Sequence, residues 1–221
     1  MKNETRRYRL TGITELLGSQ PSDDQLFTNY IASKAPQDIR DKEIDDRAAN
    51  PDYADLETKG LTVFQLDPKS GALTLNARHI RGFFKETIRN LQEELGILMA
   101  ASKVDRYLFA DPRLIILQRP DKDGVLQPIM EDDGRYERPL RITNRGGIDE
   151  TTITASEQVY DPWVIDVELT LFPNKGTTRS KALTWDAVET ALDYGRFNGL
   201  GQFRTGGYGR FTWERLNDGK S

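Results

Sequence analysis

The apolar and polar residues of the chain fall into runs with two periods. Arg7-Tyr8-Arg9-Leu10-Thr11-Gly12-Ile13 alternates with the period of a half-buried strand, Tyr8 and Leu10 inward and Arg7 and Arg9 on the other face. Trp163, Ile165, Val167, Leu169 and Leu171 alternate with acids in the same way. Arg113–Gln118 has an unbroken apolar centre, which predicts a strand internal to a sheet. Leu61–Leu66 and Ala72–Leu75 flank Asp67-Pro68-Lys69-Ser70-Gly71 and predict a hairpin. Helical spacing appears at Ile80, Phe83, Phe84, Thr87, Ile88, Leu91 and Leu95, predicting a helix over 77–95 capped by Asn76 and stopped by Gly96. Trp185, Val188 and Leu192 share a face of a second helix over 184–194, capped by Thr184 and ended by Gly195, and a strand follows over 208–216.

Read in order, strand, helix, strand, strand, helix, strand predict an α+β, ferredoxin-like (RRM-type) βαββαβ core, one domain over 1–221. Insertions at 18–60 and 119–160 interrupt it. The first has no sustained period and is acidic over 38–57. The second has turn signals at Asp123-Gly124, Asp133-Gly134 and Asn144-Arg145-Gly146-Gly147 among short β-like pieces, so it reads as a protruding, thumb-like β insertion. Such a plan hosts many functions, so function has to come from the side chains.

Composition narrows the chemistry. The 221 residues include no cysteine and one histidine, His79, which excludes disulfides, thiolate metal sites and zinc sites built on several histidines. No metal or cofactor is expected. No apolar run reaches the length of a membrane span and no leader is recognisable, so a cytoplasmic protein without membrane contact is expected. The net charge of -4 argues against indiscriminate nucleic-acid binding, yet arginines concentrate in the first strand, the first helix and the C-terminal loop.

That loop, Gly195 to Phe211, interleaves six glycines up to Gly209 with arginines and aromatics. Glycines let a backbone approach a bulky ligand, arginines offer forked donors to phosphate and aromatics stack on bases. Gly199, Gly201, Phe203, Arg204, Gly206, Gly207, Tyr208, Gly209 and Arg210 are therefore candidate nucleic-acid-binding residues. On the first helix Arg78, Arg81, Lys85 and Arg89 lie along one edge, either a phosphate-tracking edge or a solvated flank balanced by Glu86, Glu93 and Glu94.

Gly199-Leu200-Gly201-Gln202-Phe203-Arg204-Thr205-Gly206-Gly207-Tyr208-Gly209-Arg210-Phe211, between last helix and last strand, resembles the glycine-rich loop of the RAMP superfamily of CRISPR-associated RNA-binding proteins. Ile80-Arg81-Gly82-Phe83-Phe84-Lys85-Glu86-Thr87-Ile88-Arg89 is similar to that family's pattern at the first helix. The resemblance implies a backbone subunit of an antiviral-defence ribonucleoprotein that holds single-stranded guide RNA without sequence preference. Its implied partners are other subunits of a CRISPR-type complex, copies of itself among the candidates. Two alternatives stay open: a viral mimic that occupies such a complex, and a metal-independent guide-processing endoribonuclease with His79 as general base. Metal-dependent cleavage by an aspartate after the first strand would fall to Asp23.

Overall fold

The structure is a computed structural model and describes residues 3–21, 61–143 and 149–216. The acidic stretch 38–57 and Asp23 lie outside the described residues, as do Asn144 to Gly147. In chain order the strands are β1 (Glu4–Gly12), β2 (Leu16–Leu17), β3 (Gln20–Pro21), β4 (Thr62–Val63), β5 (Gln65–Leu66) and β6 (Leu73–Asn76). Three helices follow, α1 (Ala77–Asn90), α2 (Gln92–Leu95) and α3 (Ala100–Tyr107). Then come β7 (Leu108–Asp111), β8 (Leu114–Ile116), β9 (Gln118–Pro120), β10 (Leu126–Pro128), β11 (Gly134–Thr143), β12 (Asp149–Val159) and β13 (Val164–Leu171). Helix α4 (Trp185–Asp193) and strand β14 (Phe211–Leu216) come last among the described elements. The fold is α+β, and among the described residues its strand pairings are antiparallel except where β12 meets β4.

The principal sheet runs β10-β9-β13-β1-β14, with β7 also paired to β13. The alternation in β1 turns Tyr8 and Leu10 into the core, as predicted. On the opposite face the antiparallel register sets Arg9 against Asp166 and Arg7 against Glu168. Arg9 grips Asp166 through two 2.8 Å hydrogen bonds, and Arg7 lies 3.4 Å from Glu168. Cross-strand pairs of opposite charge such as these favour one register over its neighbours.

Helices α1 and α4 cover the apolar face of this sheet. Phe83 of α1 meets Phe211 of β14 edge to face at 5.2 Å, and Tyr8 of β1 lies 6.3 Å from Trp185 of α4. Helix α1 begins where Asn76 Oδ1 accepts the Arg78 N–H at 3.0 Å, and it buries Ile80, Phe83, Phe84, Thr87 and Ile88 on the predicted face. The predicted single helix over 77–95 is interrupted at Leu91, and its last turn, α2, closes on Gly96 at φ +67. The predicted strand 113–118 is divided at Leu117: β8 pairs with β6, and β9 with β10 and β13. It is β7, preceded by α3, that lies beside the C-terminal half of β13.

Between β10 and β13 the chain forms one long hairpin, β11–β12, in register from Gly134 opposite Gln158 to Thr143 opposite Asp149. Its base is fastened to the body through β12, which pairs with β2 and β4. Gly18 N–H donates to the Glu157 carbonyl and Phe64 N–H to the Glu157 carboxylate, at 2.8 and 2.7 Å.

Candidate nucleic-acid interface

The glycine-rich loop leaves α4 through a 3-10 turn at Tyr194–Arg196 and returns to the sheet at β14. It is held at several points. Asn198 Nδ2 donates to Thr87 Oγ1 of α1 at 3.2 Å, and Arg204 Nη1 lies 2.6 Å from Glu86 of the same helix. Thr14 Oγ1 donates to the Gly207 carbonyl and accepts the Arg210 N–H, while Gly209 N–H donates to the Glu15 carbonyl. The two arms of the loop run so close that a Cβ on Gly209, at φ +70, would stand 2.1 Å from the Leu200 carbonyl oxygen. That approach and that φ require glycine. Much of the loop's glycine content thus serves its own closure.

At the tip the loop meets the hairpin. Tyr136 of β11, Phe203 and Tyr208 form an aromatic pile: Phe203–Tyr208 at 5.7 Å and 29°, Tyr136–Tyr208 at 4.8 Å, Tyr136–Phe203 at 6.4 Å and 23°. The Arg138 guanidinium lies 4.2 Å over the Phe203 ring. Burial and a hydrogen bond with Tyr136 push the Tyr208 hydroxyl up to about 12. Below the pile, Gln202 Oε1 accepts from Thr62 and Ser156 at 2.7 and 3.1 Å, which joins loop, β4 and β12.

Two observations mark this tip as more than a packing joint. Phe203 adopts φ 53, ψ 41, the left-handed region that side-chain-bearing residues rarely occupy, and is 37% exposed. Among the described residues Arg138 Nη1 and Arg210 Nε, like Arg81 Nε on α1, are buried yet meet no acceptor. A buried cationic donor without an acceptor is costly, about 1–3 kcal/mol or more, and native structures rarely keep one without a reason. Arg210 runs beside Gly207 and Arg138 over Phe203, so both border the same turn of the loop.

The α1 edge is divided. Arg81 and Lys85 both reach Asp105 of α3, at 3.2 and 2.8 Å, and Arg81 also leans toward Phe109 at 5.7 Å. Arg89 is exposed and, with Gly82 and Lys85, lines a cavity of about 240 Å³ between α1 and α3. Arg78 is exposed at the other end of the helix, on a cavity of about 780 Å³. Arg113 shares that cavity, and Glu131, Asp132 and Glu157 also line it. Lys85 and Arg81 would have to leave Asp105, and Arg204 leave Glu86, before holding a phosphate.

His79 lies beneath the loop. Its Nε2 is 2.9 Å from Ser19 Oγ, and its Nδ1 is buried, with no hydrogen bond of regular geometry among the described residues. Burial first, then Arg78 and Arg204, lower its pKa to about 4, so the imidazole is neutral at neutral pH. A base in that state must first exchange Ser19 for a ribose hydroxyl. Among the described residues no three acidic or histidine side chains come together as metal ligands, and no helix is long and apolar enough to cross a membrane.

No protein-family profile and no curated protein matches this sequence. Among solved structures, the chain is similar to one in a cryo-EM structure of the Type III-B Cmr-beta complex bound to cognate target RNA. The likeness has TM-score 0.46 and 10% identity; it covers 97% of this chain and 61% of that one.

The residues absent from the sequence-based set are Tyr136, Arg138 and Gln202. A signal for the first two exists: in Arg135-Tyr136-Glu137-Arg138 strand alternation sets Tyr136 and Arg138 on one face. Nothing local indicates that this face meets a loop some 65 residues later.

Proposed function

We propose that this chain holds single-stranded RNA in the manner of a RAMP-type backbone subunit, contacting phosphates through the glycine-rich loop and its neighbouring arginines. The observation that carries the reading is the pair of orphaned guanidinium donors, Arg138 Nη1 and Arg210 Nε, beside the partly exposed aromatic pile. Phosphate oxygens are the natural acceptors for arginine, and bases suit an aromatic surface. Arg78 and Arg89 extend the path along α1, with Arg81, Lys85 and Arg204 recruited as their carboxylate partners release them. The neighbour order β14, β1, β13, β7, all antiparallel, with α1 and α4 on one face, supports a ferredoxin-like core. A continuous core shared by helices and sheet supports one domain carrying the insertions at 18–60 and 119–160.

Anisotropy of a labelled single-stranded RNA across a salt series tests the reading. Affinity should fall with a log–log slope of about -2 to -3 for three or four contacts, at roughly 0.7 per phosphate on single strands. Binding that ignores salt, or no binding at any salt, would remove it.

A further inference from the structure

The Arg138 guanidinium occupies the place over Phe203 where another planar group could stack. It is planar, lies 4.2 Å from the ring centroid, and keeps a buried Nη1 without an acceptor among the described residues. The ring beneath is held rather than loose. A Cβ on Gly206 would stand 2.2 Å from its edge, and Tyr208 is stacked on it. Phe203 is kept in the left-handed region and remains 37% exposed, so the contact is open to solvent at one side.

We infer that Arg138 and Phe203 form a nucleobase slot with the guanidinium as its resident placeholder. Resting on the RNA reading above, the inference names the occupant: one base of a bound single strand slides onto Phe203 and displaces Arg138. The released guanidinium, freed of an unsatisfied buried donor, then donates to a phosphate of the same strand. Because every base has a π-face, the slot selects for a single strand and not for a sequence. The exchange sets a cation–π contact against a base stack plus a charge-assisted hydrogen bond, which favours the bound arrangement. It also makes the hairpin, through Arg138, a sensor of whether the loop is filled.

A short RNA of alternating uridine and 2-aminopurine, whose fluorescence is quenched on stacking, tests the slot. The wild-type protein should quench it on binding. Phe203→Leu should bind about tenfold more weakly, within the range of one base–aromatic stack, and without the quench. Phe203→Trp should restore it, which separates loss of the ring from loss of the fold. Arg138→Ala, leaving the ring bare, should keep the quench while affinity drops. RNA bound by the wild type without quench, or a quench unchanged in Phe203→Leu, would overturn the slot and leave RNA holding intact. Failure of the wild type to bind the probe even at low salt would overturn both.

Discussion

The arginines of β1 and those at the tip of the glycine-rich loop are the same residue in opposite circumstances. Arg6 lies 2.8 Å from Glu189, Arg7 faces Glu168 and Arg9 grips Asp166. Arg138 and Arg210 instead bring buried donors to the loop tip, and no carboxylate among the described residues pairs with either. In β1 the partner is supplied by register, since each arginine stands opposite an acid of β13 or beneath one of α4. At the tip the neighbours are rings and glycines. An arginine-rich stretch is therefore not a ligand surface in itself; what stands opposite it decides. The α1 edge lies between the two cases, with Asp105 holding Arg81 and Lys85.

The difference can be sharpened by titration. His79 reports on the loop side, where burial, Arg78 and Arg204 lower its pKa from 6.5 to about 4. Between those values the unfolded chain binds a proton that the folded chain does not, so stability falls as pH falls through the window and is unaffected above it. At about 1.4 kcal/mol per unit the loss should approach 3 kcal/mol. Denaturant unfolding at pH 7, 5.5 and 4 should show it, and His79→Gln should remove that share. An equal pH slope in the variant would mean that His79 is not held neutral.

A smaller effect is expected on the paired side. Arg9 and Asp166 are each about a third exposed, so Asp166→Asn should cost only about 1 kcal/mol in a chemical melt. RNA affinity should not change. A marked change in RNA binding with unchanged stability would place the β1 face in the interface and undo the contrast.

Much of this architecture can be read from local signals. The Asn76 cap, the buried face of α1 and the alternation of β1 and β13 follow from spacing alone, since each element buries one side. Helix α3 could not be read that way, because Ala100 and Val104 are its only fully buried residues among Lys103, Asp105 and Arg106. The division at Leu117 was hidden for a different reason. Nothing within the apolar run shows that pairing passes from β6, at β8, to β10 and β13, at the polar residues Gln118–Pro120 of β9. For the candidate site, the loop's position was legible and its surroundings were not. Tyr136 and Arg138 reach it through hairpin pairing, and the carboxylates that hold Arg81, Lys85 and Arg204 reach theirs through tertiary packing.

The contrast between the two sets of arginines is tested most directly by removing each in turn and measuring single-stranded RNA affinity at one low salt concentration. Arg138→Ala with Arg210→Ala should weaken binding about a hundredfold, as expected for two hydrogen bonds to charged groups. Arg7→Ala with Arg9→Ala should leave it within about twofold, since those guanidiniums are already neutralised by acids across the strand. Equal losses in both pairs, or a loss confined to the β1 pair, would contradict the assignment of RNA holding to the glycine-rich loop.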